Sequence, residues 1–185
     1  MNRPTLLTAS ALALVLGCSL PTLAQVNAPV QELLETRNGA GFNLNGADLS
    51  GRDLVGVDLR GANLNGADLS GANLSGANLT GANLRGANLR AANLTEADLS
   101  VANLVEATLD GANLQDALLK AANLSGAHLV EVDLRNADLF RANLNAANLR
   151  GSNLLNANFN AANLIGANVL GSRGGNFTNA IGFTP

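Results

Sequence analysis

The chain has 185 residues, a formal net charge of −3 and one cysteine, Cys18. Hydrophobic types reach 47%, whereas aromatics are 3%, with no Trp and no Tyr. A lone cysteine excludes an intrachain disulfide and a cysteine-rich metal centre. The mild negative charge has no block of one sign that would suggest an acidic tail or a nucleic-acid-binding arm.

Residues 1–24 read as an export signal. Arg3 supplies the positive end, and Leu6 to Leu20 is apolar apart from small hydroxyl residues. Pro21 breaks the run, and Thr22-Leu23-Ala24 before Gln25 is a small-x-small cleavage site. The run is short for a membrane-spanning helix. A second reading stays open: Val15-Leu16-Gly17-Cys18 resembles the lipobox of bacterial lipoproteins, in which Cys18 becomes the lipidated first residue. Against it, Leu20 and Leu23 carry the apolar run past Cys18. The membrane is a partner only if Cys18 is lipidated. Residues 25–41 are then expected to form an N-terminal cap, with Pro29 early in a short helix over 29–36 and Leu33-Leu34 on its apolar side.

From Leu44 the sequence keeps a five-residue beat. A Leu, or once a Phe and once a Val, stands at every fifth position from Leu44 to Val169, giving 26 repeats of the form Ala-Asn/Asp-Leu-x-x. Such a beat fits neither regular element. On an α-helix successive leucines would step about 140° and face every direction. On a straight strand they would alternate between faces. Within a repeat, however, Ala and Leu are two apart, so a short extended piece points both inward and the Asn or Asp outward. The x-Gly pair that follows turns a corner, because Gly reaches backbone angles other residues avoid. Piece and corner repeated wind a closed coil with its leucines stacked along the axis, a core that leaves no room for a ligand pocket.

The A(N/D)Lxx array resembles the pentapeptide-repeat family over about 130 residues. That resemblance implies an all-β fold, a right-handed quadrilateral β-helix with four repeats per coil and a short N-terminal capping helix. With strand spacing between coils, the array over 42–171 makes a rod about 31 Å long. The stretch QELLETRNGAGF over 31–42 is similar to the cap of exported cyanobacterial and thylakoid-lumen members. Those often carry a Cys-x-x-Cys pair, where this chain has Gly39 and Phe42, so any redox role of that pair is lost. The resemblance and the signal together imply an exported protein of the periplasm or a thylakoid lumen.

Solenoids cap their open ends. Phe42 and Arg52 occupy inward positions in the first coil, where Phe42 can plug the end and Arg52 can reach solvent. Ser172-Arg173-Gly174-Gly175 breaks the beat, and 172–185 is expected to form a C-terminal cap in which Asn176–Pro185 folds back.

Every twentieth residue lies on one column. Asn43, Asn63, Asn83, Asn103 and their successors form an amide ladder, read as structural. Outward positions grow more apolar toward the C-terminus, and Leu118 and Phe140 fall on one face of adjacent coils. They are the candidate protein-binding patch, for a protein partner or for self-association. The alternative that the resemblance implies is a gyrase-targeting DNA mimic of the cytosolic pentapeptide-repeat type, inhibition of gyrase by imitating DNA being the family's best-known activity. It needs dense negative charge along one side, yet Arg85, Arg90, Lys120, Arg135, Arg141 and Arg150 interrupt the acids. No face has the Thr column of a flat ice-binding β-helix.

Catalytic chemistry has little to work with. His128 is the single histidine, at an outward position, and the carboxylates sit on flat faces without a cleft to tune them. The glycines follow the five-residue beat rather than a phosphate-binding pattern. The sequence thus reads as a non-enzymatic scaffold with no cofactor, no metal and no nucleic-acid partner.

Overall fold

A computed structural model describes residues 22–182. Cys18 and the signal residues 1–21 lie outside the described residues. The described residues begin with a helix, α1 (Thr22–Thr36). This helix is longer than the expected 29–36 and spans the Ala24–Gln25 step. Pro29 stands in its interior rather than at its start, forfeiting one intrahelical bond. Leu33 is fully buried, and Val30 and Leu34 pack against the same core.

Arg37 ends the helix. Its N–H bonds to Leu33 C=O at 2.8 Å and its φ of 60° is left-handed, the usual way for a helix to stop. Its guanidinium then donates to Asp53 C=O at 2.7 Å and to Val55 C=O. Those carbonyls lie on the edge of the first coil, where no earlier coil supplies N–H groups. One planar fork thereby caps two ladder acceptors.

The coil is built as the beat predicts. Parallel bridges join residues twenty apart: Asn43 to Asn63, Asp48 to Asp68, Asp53 to Asn73 and Asp58 to Asn78. Four bridges per twenty residues make four sides, called here the Asn43, Asp48, Asp53 and Asp58 faces. Each side contributes one bridged residue, so the β-structure consists of isolated bridges rather than long strands. The Leu N–H donates to the next coil at about 2.7 Å, as in Leu44 to Asn63 C=O and Leu64 to Asn83 C=O at 2.8 Å. Every leucine on the beat from Leu44 to Leu164 is 0–2% exposed. Removing one such side chain to Ala is worth about 2–5 kcal/mol.

The Asn/Asp position is explained locally. Its side-chain oxygen accepts the N–H two residues on, as in Ser100 to Asp98 at 2.8 Å and Ser70 to Asp68 at 2.9 Å. This Asx turn launches the corner. The amides also chain coil to coil, Asn63 Nδ2 donating to Asn43 Oδ1 at 3.1 Å and Asn103 Nδ2 to Asn83 Oδ1 at 3.0 Å. In the first coil Arg52 is exposed, and Phe42 is half-buried against the core.

Over the described residues to 182 the C-terminal segment does not fold back. Asn153 bridges Arg173 at the usual spacing of twenty, but Asn158 bridges Asn176 and Asn163 bridges Ile181, a spacing of eighteen. The corner at Gly174-Gly175 is two residues short, and winding continues beyond it. Both glycines have positive φ, and a Cβ on Gly174 would lie 2.8 Å from the Leu155 backbone, so the tight corner admits no side chain there. The shift brings Phe177 over Phe159, where the rings stack with centroids 4.9 Å apart and 16° between planes.

Candidate protein-binding site

With the interior filled, chemistry is confined to the outside of the rod. The Asp58 face runs Asp58, Asn78, Asp98, Leu118, Asp138 and Asn158, each bridged to the next. Leu118 is thus an outward side chain between two carboxylates, and it is 38% exposed. It stands where an Asx oxygen would accept the N–H two residues on, so Lys120 forgoes the local acceptor that Ser100 and Phe140 have in Asp98 and Asp138. The leucine is therefore a departure that does nothing for the corner.

Phe140 is half-buried, and Arg141 holds its guanidinium carbon 4.9 Å from the centre of the ring. Leu118 and Lys120 of one coil lie under Asp138 and Phe140 of the next, since Leu118 bridges Asp138 and Ala121 N–H bonds to Phe140 C=O. The four residues make a square. Lys120 Nζ and Asp138 Oδ2 are paired at 3.3 Å along one diagonal, and the two apolar side chains occupy the other. The structure brings the two predicted residues to one face of adjacent coils, and the ion pair between them is what the sequence reading missed. Its signal was Lys120 and Asp138 standing eighteen apart on a twenty-residue coil.

The electrostatics around the square are local. Asp98 is held below the ordinary aspartate value. Partial burial works to raise it but is outweighed by the Ser100 hydroxyl and N–H, the Thr80 hydroxyl and the charge of Lys120. On the next face, hydrogen bonds from the Arg135 side chain lower Asp133 and raise Arg135 in turn. Two arginines reach across coils, Arg85 to Glu106 at 2.8 Å and Arg90 to Asp110 at 3.3 Å. Exposed pairs of this kind contribute little to stability, about 0–1 kcal/mol each, but they neutralise Glu106 and Asp110. His128 sits outward on the Asp48 face, bridging Thr108 and Asn148. Among the described residues no group of three His, Cys, Asp or Glu side chains is placed to hold a metal ion. A surface cleft of about 630 Å³ near the shortened corner is lined in part by Glu131, Asn153 and Arg173.

The Pentapeptide repeats family matches residues 43–81, 82–120, 117–154 and 137–181, with 8 copies. Among solved structures, the chain is similar to HetL, a pentapeptide repeat protein involved in heterocyst differentiation regulation from the cyanobacterium Nostoc sp. strain PCC 7120. The two are 33% identical over 78% of this chain and 73% of HetL, with a TM-score of 0.61. A trypsin-treated form of QnrB1, a plasmid-mediated fluoroquinolone resistance protein, is 23% identical over 72% of this chain and 76% of its own. Its TM-score of 0.52 bears on the fold alone. A pentapeptide repeat protein of the Arabidopsis thaliana thylakoid lumen is 32% identical over 61% of this chain and 68% of its own, with a TM-score of 0.32. No curated protein gives a significant match. The family match thus runs along the same residues as the coil, and the chain belongs to the pentapeptide repeat family, its rod being that family's right-handed β-helix.

Proposed function

We propose that this protein is an exported, non-enzymatic scaffold that docks a protein partner on its Asp58 face through Leu118 and Phe140. The observation that carries this reading is the replacement of a turn-stabilising Asn or Asp by Leu118 beside the half-buried Phe140, on a rod whose interior is full. A leucine that weakens its own corner and lies 38% exposed gains nothing for the fold and offers an anchor to another molecule. Export rests on the N-terminal pattern of Arg3, the apolar run and Ala24. The periplasm or a thylakoid lumen is the compartment, with free protein after cleavage at Ala24 and a membrane-anchored form after lipidation of Cys18.

Imitation of DNA is the weaker reading. Arg85 and Arg90 are paired to acids of the neighbouring coils, so no face offers the unbroken negative column that imitation needs.

The test is affinity purification from the native cells with wild-type protein and with the Leu118→Asn/Phe140→Ser double variant. Leu118→Asn supplies the side-chain oxygen of an Asx turn, so the rod stays folded. A partner lost only from the variant supports the reading, and a partner recovered equally from both overturns it.

A further inference from the structure

The corners of the rod are unequally strained, and the strain marks one face. All ten corners from Gly41 to Gly86 are glycines with positive φ. Beyond them the conformation persists while the residue type changes. The corner entering the Asp58 face becomes Glu96, Asp116, Asn136 and Asn156 in successive coils, with φ of 59–61°. The corner leaving it becomes Val101, Ala121, Arg141 and Ala161, with φ of 52–59°. The other two corner columns keep glycines among their members, at Gly111, Gly126, Gly151, Gly166 and Gly171. Only the Asp58 face is framed over four coils by side chains alone.

Left-handed backbone is unfavourable for residues with a Cβ, by about 1–2 kcal/mol each and least for Asn and Asp. Val101 is the hardest case, since a β-branched residue at positive φ is a genuine outlier. It is 58% exposed, so burial does not compensate. Space does not demand glycine in this column: a Cβ on Gly81, one coil earlier, would meet nothing within 4 Å. Strain kept where the fold does not need it points to a use of the side chains.

Charge says what kind of use. Over those four coils the face and its frame carry four carboxylates, Glu96, Asp98, Asp116 and Asp138, against two cations, Lys120 and Arg141. Lys120 is occupied by Asp138, and Arg141 lies over Phe140. Arg135, on the adjoining face, is held by Asp133 and by Gln115 Oε1 at 2.9 Å, with the charge of Asp116 a lesser attraction. Glu96 and Asp116 form no ion pair among the described residues; Asp116 accepts only neutral amides, from Gln115 and Asn136, each at 2.9 Å. Between this acidic edge and the edge bearing Val101 lie Leu118 and Phe140. The geometry points to a partner segment that combines apolar side chains with basic ones: the apolar side chains seat on Val101, Leu118 and Phe140, and the basic ones meet Glu96 and Asp116. This inference rests on the docking reading above and gives that site its ligand chemistry.

The test uses backbone amide shifts of the protein in solution, titrated with three synthetic peptides of equal length: alternating Leu-Lys, alternating Leu-Glu and alternating Ser-Lys. Leu-Lys is expected to move the amides of 98–101, 118–121 and 138–141 and leave the opposite Asp48 face still. Leu118→Asn/Phe140→Ser should weaken that binding about tenfold or more, as removal of central apolar anchors does. Glu96→Gln/Asp116→Asn should weaken Leu-Lys several-fold. Shifts spread over all four faces, or equal binding of Leu-Glu, overturn the assignment of a basic partner. If Leu-Lys fails while the affinity purification still yields a partner dependent on Leu118 and Phe140, the charge assignment alone is wrong. If both fail, the docking face is wrong.

Discussion

The Ser152 hydroxyl stands inside the corner of Val132, accepting Val132 N–H at 3.2 Å and donating to Leu129 C=O at 2.6 Å. At every other corner from Gly39–Phe42 to Val169–Ser172 those two backbone groups bond to each other directly. Val132 is wider than the usual Ala at this inward position. The corner at the other inward valine, Val57, is also long at 3.2 Å. Val132 opens its corner fully, and the hydroxyl one coil away closes it.

Ser152→Ala would leave a buried N–H and C=O without partners, a loss of about 1–3 kcal/mol. Val132→Ala in the same chain should let the corner bond re-form and recover most of it. A double-mutant cycle in urea unfolding measures the coupling, and strict additivity of the two changes would disprove the bridging role.

Val101→Gly should stabilise the rod by about 0.5–1 kcal/mol, the relief of left-handed strain less glycine's entropy. Gly81→Val, one coil earlier, should destabilise it by a similar amount although space is open there. Thermal unfolding of both variants checks the pair. A loss of stability in Val101→Gly would mean that the valine supports the fold.

Phe177 covers the end of the core by stacking on Phe159. In a solenoid each coil contacts only its neighbours. Phe177→Ala should therefore speed hydrogen exchange in the last coil, from about Leu154 onward, and leave coils before Leu124 unchanged. Uniform acceleration along the rod would contradict that picture.

These elements also show what the sequence could carry. The beat from Leu44 to Val169 was legible because every side of a square coil repeats the same inward pair, Ala and Leu, two residues apart. Ser152 was legible in principle, since it lies twenty residues from Val132, but a serine at an alanine position reads as a small substitution until the coils are stacked. The stacking of Phe177 was not, because Gly174-Gly175 announces a break without its size, and two residues decide which side chain reaches Phe159. Corners such as Val101 were hidden for another reason. Neighbouring coils hold the left-handed backbone there against the residue's own preference, and local propensity carries no trace of that.

Asp48, Asp58, Asp68, Asp98 and Asp133 all lie below the ordinary aspartate value of 3.8. For Asp133 the main cause is the Arg135 hydrogen bond, and for Asp48 and Asp68 it is the serine two residues on. A carboxyl lowered by folding adds stability that is complete above its unfolded value and disappears as pH falls through its folded one. The melting temperature should thus fall once the pH drops below 3.8, and Asp133→Asn should make that fall shallower. A melting temperature that rises on acidification would contradict the sign.

The most direct measurement of the central claim is site-specific photocrosslinking in the native cells. A photoreactive residue is placed at position 118 or 140 on the Asp58 face, or at position 130 on the opposite face as a control. The account predicts one covalent protein adduct, shared by positions 118 and 140 and absent from position 130. Adducts of equal yield from all three positions, or an adduct from position 130 alone, would contradict it.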